Sequence, residues 1–316
     1  MRIYFLLSVL TVIAFLISVA VGSVNINILQ MSDTEKIILL NYRLPLSLEA
    51  AFIGSILGLS GAILQIILKN PLADGFTTGA ASTAALGGVL IICLGLPYLF
   101  VPIAASIFAV AGISFAIFLA RDSLKHTTLI LAGIVVNIVA TAIIGFLKYY
   151  YEESIGSVVF WLMGGFFNPT YTKSLFLFIA LVLSSIFFIK NSIKLDIMGF
   201  DIFTTTSMGI DVKTFRNINY FISALLVGLA VSFSGIIPFV GLIVPHIARF
   251  IGKEESKNII ILSIIIGALV MLLSETLSRV IIPEEELPIG ILTSIVGGIF
   301  FFYLMLQKKS SWYESN

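Results

Sequence analysis

Few residues in this 316-residue chain are of a type that can do chemistry, and their spacing restricts the chemistry further. The two histidines, His126 and His246, have no Cys or carboxylate at metal-ligand spacing, so no metal site is expected. His246, within Pro245-His246-Ile247-Ala248-Arg249, is read as a hydrogen-bonding residue. One cysteine, Cys93, excludes an internal disulfide framework. No Ser-His, paired-Asp or H-E-x-x-H constellation occurs. The nearest approach to a phosphate loop is Gly252-Lys253-Glu254, which lacks the hydroxyl residue that would hold Mg²⁺, so an enzyme with its own ATPase motif is not expected, nor is a cofactor. The polar residues that remain lie in apolar surroundings: Glu49, Asn137, Thr141, Glu275 and Arg279. Such groups in a hydrocarbon setting face protein or a water-filled path.

The elements that must position them follow from composition. The chain is 59% apolar and 11% charged, against roughly 25% charged residues in a soluble domain. So small a charged fraction cannot cover a water-facing surface, and the mean hydropathy is +1.12. Apolar blocks fall at about 3–22, 44–66, 79–96, 102–120, 128–147, 172–189, 217–236, 238–251, 259–282 and 288–306. Most have the length that crosses a hydrocarbon core of about 30 Å as a helix. They are apolar all round, whereas membrane-barrel strands alternate. The expectation is an all-α polytopic membrane protein of about ten transmembrane helices, organised as one domain over residues 1–316. The eighth block holds Pro238 and Pro245 and is short, which predicts a bent or partly re-entrant segment. A formal net charge of +1 offers no basic face for nucleic acid.

Lysine and arginine concentrate in cytoplasmic loops. Placing both termini inside leaves Lys36, Arg43, Lys148, Lys173 and Arg279 outside and the other 13 of the 18 cations inside, Lys253, Lys308 and Lys309 among them. Both termini are therefore expected to be cytoplasmic. The first block, preceded by Arg2, has some features of a cleavable leader, but its apolar run exceeds a leader's roughly 7–15 residues and it is read as a span.

Leu59-Ser-Gly-Ala-Ile63 in the second block resembles Phe233-Ser-Gly-Ile-Ile237 in the seventh, and each precedes a proline-interrupted segment. With the orientation above these spans run in opposite directions, as in inverted-topology repeats. Gly54, Gly58 and Gly61 form one helical stripe that suits close approach of another backbone. Pro71 disfavours helical geometry at Asn70, so the second span must end there, with Lys69 in reach of lipid phosphate.

Five motifs occur in order: Arg43-Leu-Pro; Gly61-x-x-x-Gln65-x-x-x-x-Asn70-Pro-Leu-Ala73; Phe160-Trp-Leu-Met-Gly-Gly-Phe166; Phe239-Val-Gly-Leu-Ile-Val-Pro-His-Ile-Ala-Arg249; and Glu286-Leu-Pro-Ile-Gly290. Over about residues 40–306 this resembles the FecCD permease family, the membrane subunits of ATP-driven importers. The resemblance implies an inverted-repeat ABC importer permease of type II architecture in the cytoplasmic membrane. It implies a second copy of the chain, two cytoplasmic ATP-binding subunits, an extracytoplasmic substrate-binding protein and membrane lipid as partners. The default cargo is an iron-siderophore; haem, cobalamin or an oxyanion are alternatives within the family. An ion-coupled secondary transporter is the alternative outside it, disfavoured because no ionisable relay lies mid-membrane.

The same resemblance implies roles for residues. Arg43 and Arg279 would dock glutamates of the binding protein, as exposed arginine forks suit carboxylates; pairing of Arg279 with Glu275 is the competing reading. Leu46 stands where a second arginine is common. Asn70 and Leu72 would form the cytoplasmic gate with the loop of His126, Thr127 and Thr128. Apart from the resemblance, their place in apolar spans makes Asn137 and Thr141 candidates to line the path, with a bond to a neighbouring helix the equal alternative for Asn137; Glu49 is a candidate to reach the outer vestibule, with partial exposure at the interface its equal alternative. The segment Asp201–Gly209, with Thr204, Thr205, Thr206, Ser207, Met208 and Gly209, would be the helix that couples to the ATPase, capped by Asp201 and ended by Gly209.

Overall fold

The computed structural model describes residues 2–22, 31–121, 123–252, 255–282 and 285–313; Lys253, and the side chains of Lys308 and Lys309, lie outside this description. The described chain is helical throughout its ordered elements: α1 (Arg2–Ala20), α2 (Asp33–Ile38), α3 (Leu44–Ile67), α4 (Ala80–Cys93), α5 (Phe100–Leu119), α6 (His126–Tyr150), α7 (Ile155–Leu162), α8 (Tyr171–Lys190), α9 (Ser192–Ile197), α10 (Ile202–Ser207), α11 (Val212–Ser234), α12 (Val240–Ile251), α13 (Ser256–Ser278) and α14 (Ile289–Tyr313). One π-helical turn, Leu39–Arg43, joins α2 to α3, so that residues 33–67 form one continuous helix. Each of the ten apolar blocks becomes one helix. Seven are long and apolar enough to cross a membrane; α4, α12 and the apolar part of α14 are shorter.

The short helices have a local cause. Both α4 and α12 start only after an irregular segment that ends in a left-handed residue, Gly79 at φ 76° and Phe239 at φ 67°. Non-helical backbone at membrane depth is tolerated only where protein covers it. Around the second break the cover is specific: Gly165 N–H donates to Ser234 O at 2.8 Å, Ile289 N–H to Gly164 O at 2.9 Å, and Gly290 N–H to Met163 O at 3.1 Å. The motifs around Trp161, Gly235 and Pro288, far apart in sequence, thus satisfy one another's backbone groups.

The two halves are interlocked. α3 packs on α12 and α13, α11 packs on α4 and α5, and α3 meets α11. Each half therefore inserts its long central helix into the other, as expected of antiparallel repeats. The glycine stripe makes this possible. A Cβ on Gly54 would lie 2.2 Å from Gly267 O, and one on Gly61 would lie 1.8 Å from Gly241 O, so α3 touches α13 and α12 backbone to backbone. α1 joins the bundle through α13, with the Tyr4 hydroxyl donating to Asn258 Oδ1 at 2.7 Å.

Candidate functional site

The polar residues gather at two poles, one carrying Arg43 and Arg279, the other carrying Lys69. At the first, where the ends of α1 and α13 meet the start of α3, the expectation of exposed arginines is corrected. Arg43 is 2% and Arg279 3% exposed. The reason is the end of α1, which lies over them: Arg43 Nη1 donates to Ala20 O and Arg279 Nη2 to Ser18 O, both at 2.7 Å. Arg279 is an ion pair with Glu275, one turn earlier on α13, with Nε–Oε1 at 2.5 Å and Nη2–Oε2 at 2.7 Å. Ser18 Oγ completes the cluster, donating to Glu275 Oε2 at 2.8 Å and lying 2.6 Å from Ser47 Oγ. Among the described residues Arg279 Nη1 has neither a hydrogen-bond nor an ion-pair partner, while Nε has only its ion pair with Glu275. Beside Arg279 a cavity of about 380 Å³ is lined by Ile37, Asn41, Tyr42, Arg43, Arg279 and Glu286. Leu46 is buried.

Glu49 is fully buried, not in an open vestibule. Its Oε1 accepts from Thr170 N–H at 2.9 Å at the start of α8, and its Oε2 has no hydrogen-bond partner among the described residues. Burial of α3 on several sides, invisible in a one-dimensional pattern, explains the difference. Asn137 is half-buried and bonded between helices, Oδ1 accepting from Ser82 Oγ of α4 at 2.5 Å. Thr141, one turn on, is exposed, on a face of α6 that also presents Leu131, Val135 and Ile138.

At the Lys69 pole the structure brings the expected gate segments together. His126 sits against the Ile67 backbone, near Lys69 and Arg216. Asn70 Oδ1 accepts from Leu72 N–H at 2.9 Å, which leaves the Leu72 side chain 54% exposed. Thr127 is exposed, while Thr128 Oγ1 lies 2.9 Å from Ser123 Oγ. Arg216, which the sequence marks only as a cation near a helix start, is a missed component. It is 1% exposed and holds the loop before α6 through Leu124 O at 2.8 Å and Ser123 O at 3.1 Å. Lys69 is not directed to lipid phosphate: its Nζ donates to Gly199 O at 3.3 Å and to Phe200 O.

The short helix expected after Asp201 forms as α10. Asp201 Oδ1 accepts from Thr204 N–H at 3.0 Å, and Gly209 follows the helix at φ 83°. The Thr204 hydroxyl and amide hold the Asp201 carboxyl below the usual carboxylate range. Thr205 is corrected in one respect: it points inward, 1% exposed, and donates to Ile197 O at 3.1 Å, fastening α10 to α9. Thr206 and Ser207 are exposed but return their hydroxyls to Ile202 O and Phe203 O. The apolar exposure belongs to Met208 and to Phe203, 82% exposed, whose aromatic character on a short polar helix was the overlooked signal.

His246 packs edge-on against Phe300, with ring centroids 5.6 Å apart. No group of three metal-ligating side chains exists among the described residues.

The model of the FecCD transport family matches residues 10–307. The chain belongs to the FecCD transport family. This FecCD chain is 33% identical over 281 residues to the ABC transporter permease protein YvrB of Bacillus subtilis (strain 168), covering 86% of this chain and 79% of that protein. It is 30% identical to the molybdate import system permease protein MolB of Haemophilus influenzae (strain ATCC 51907 / DSM 11121 / KW20 / Rd), covering 98% and 96%. A solved structure of a metal-chelate type ABC transporter in an inward-facing conformation superposes with a TM-score of 0.90 at 31% identity, covering 97% of this chain and 99% of that one. The chain is thus a multi-pass membrane permease of the ABC importer type, whose family leaves ATP hydrolysis to partner subunits.

Proposed function

We propose that this FecCD permease, acting as one transmembrane domain, carries an iron-siderophore or related metal chelate across the cytoplasmic (inner) membrane by alternating access. It works as a homodimer with two ATP-binding subunits and an extracytoplasmic binding protein, with the Lys69 pole and both termini in the cytoplasm. The observation that carries the cargo reading is the likeness, at a TM-score of 0.90, to a metal-chelate type transporter. The exposed face of α6 agrees with it. Leu131, Val135, Ile138 and Thr141 offer few directed contacts. Recognition then rests mostly on the binding protein.

In this reading the exposed Phe203 and Met208 of α10 meet the ATP-binding subunit, and ATP binding reshapes the gate of Asn70, Leu72, Thr127 and Thr128 by rigid-body shifts. Arg43 and Arg279 serve docking from within the protein. Arg279 lines a cavity and its Nη1 has no partner among the described residues, so a small shift of this side chain would offer a donor to a carboxylate of the binding protein. The test is uptake into proteoliposomes holding the permease, its ATP-binding subunits and the cognate binding protein. ATP-dependent accumulation of radiolabelled ferric siderophore, with none of molybdate, is expected. Molybdate uptake without chelate uptake favours the oxyanion reading that MolB suggests; uphill uptake by the permease alone on an ion gradient overturns the importer reading.

A further inference from the structure

Three helices among the described residues end in the same hydrogen-bonded geometry, and two of them, α4 with Gly95 at φ 64° and α10 with Gly209, have the residue that geometry favours. After α10, Gly209 N–H donates to Thr206 O at 2.9 Å and Ile210 N–H reaches Thr205 O at 3.4 Å, with Gly209 at φ 83°. After α3, Lys69 N–H donates to Ile66 O and Asn70 N–H to Gln65 O, both at 3.2 Å, with Lys69 at φ 46°. This pattern places the residue after the helix in the left-handed region, where glycine is favoured and a Cβ crowds the following carbonyl. Backbone geometry alone gives no reason for lysine here.

The side chain does. Lys69 Nζ donates to Gly199 O and Phe200 O. These two carbonyls form the link between the end of α9 and Asp201, the cap of α10. That link belongs to a firmly held unit. Thr205 Oγ1 donates to Ile197 O, which fastens α10 to α9, and Asp196 Oδ1 accepts from Ser256 N–H at 2.7 Å, which ties α9 to the start of α13. On its other side Lys69 is bonded covalently to Asn70, whose amide oxygen shapes the Leu72 turn. An open cavity of about 570 Å³, lined by Lys69, Asn70, Pro71, Asp196 and Gly199, separates the two segments elsewhere. The ammonium reaches to the α9 side of this cavity, so Lys69 makes a polar side-chain connection between gate turn and link.

We propose that Lys69 is a transmission strap: a positioning residue that ties the Asn70–Leu72 turn to the α9–α10 link, so that displacement of α10 pulls on the end of α3. The inference rests on the reading of α10 as the contact for the ATP-binding subunit. Its side chain and its backbone make opposite demands, and that separates a strap from a merely structural residue. Lys69→Gly removes the ammonium and relieves the left-handed strain together.

The experiment uses the full permease with Lys69→Gly and Lys69→Arg. In the purified chain, hydrogen exchange of amides 198–208 is expected to quicken about tenfold in K69G and to stay near wild type in K69R, while the melting temperature of K69G is not lowered. In the assembled transporter, cargo moved per ATP hydrolysed is expected to fall about fivefold in K69G with hydrolysis continuing, and to recover in K69R. Unchanged exchange or an unchanged transport ratio in K69G overturns the proposal, as does a lowered melting temperature with transport and hydrolysis lost in proportion. If the wild-type assembly fails to couple ATP to transport, the importer reading falls, and the exchange measurement on the permease still decides whether Lys69 holds the link.

Discussion

The Arg279 pole holds a buried ion pair beside its carbonyl contacts; at the Lys69 pole the cations Lys69 and Arg216 hold loop carbonyls. Arg279, Glu275 and Ser18 close a buried cluster in which α1 and α13 hold each other. Arg216 and Lys69 instead grip Leu124, Ser123, Gly199 and Phe200, backbone groups of connecting segments. A buried ion pair demands its partner, because desolvation of either member alone is uncompensated. A cation on a carbonyl has a smaller commitment, since its loss leaves no buried countercharge behind. The first pole is thus built to keep helices in place, the second to let segments move while remaining attached.

The contrast is strongest for Glu275. Its replacement by Ala leaves Arg279 buried without a countercharge and should destabilise the permease by about 3–5 kcal/mol, read as a lower melting temperature in detergent, with a Glu275→Ala/Arg279→Met pair losing much less. A single mutant that melts like wild type would break the comparison at this pole. Arg216→Met should cost less, about 1.5–3 kcal/mol for its charged hydrogen bonds, with the effect concentrated in faster exchange of amides 123–126. Equal loss of protection across α3 and α13 would mean that Arg216 is a global brace like Glu275.

Phe203→Glu should leave the melting temperature of the permease within the effect of an ordinary surface change, while weakening capture of the ATP-binding subunit about tenfold or more, as loss of an exposed aromatic anchor does. Unaltered capture would remove α10 from that interface. The smallest effect concerns acid. The Asp201 carboxyl is held below its ordinary value by Thr204, so its contribution to the α10 cap is present above the unfolded-state value and is lost as pH falls through the lowered native one. Exchange of amides 202–205 should therefore quicken in the acid range below about pH 4, and Asp201→Asn should abolish that pH dependence while keeping the cap. Continued acid sensitivity in the Asn variant would point to another group.

Several of these residues were readable in advance and others were not. Pro71 and the Lys-Asn corner announced the end of α3, and Asp201 with Gly209 announced both ends of α10, because caps and stops depend on neighbours in the chain. The same reading put Thr205 among the residues that couple to the ATPase, since a six-residue helix has too little period to reveal which side lies on α9. Arg43 and Arg279 looked exposed because they flank apolar blocks at loop ends; the cover comes from α1, which is distant in sequence from both. Arg216 offered no warning, as its partners lie 92 and 93 positions away.

Composition and hydrophobic block length were sufficient for an all-helical membrane chain with ten apolar segments, because solvation by lipid acts on each segment separately. The interlocking of the halves, the knot of Trp161, Gly235 and Gly290, the burial of the arginines and the grip of Lys69 on the α9–α10 link belong to the tertiary structure alone. Each depends on which distant backbone comes within hydrogen-bonding or van der Waals range of a side chain, and that is settled only when the helices pack.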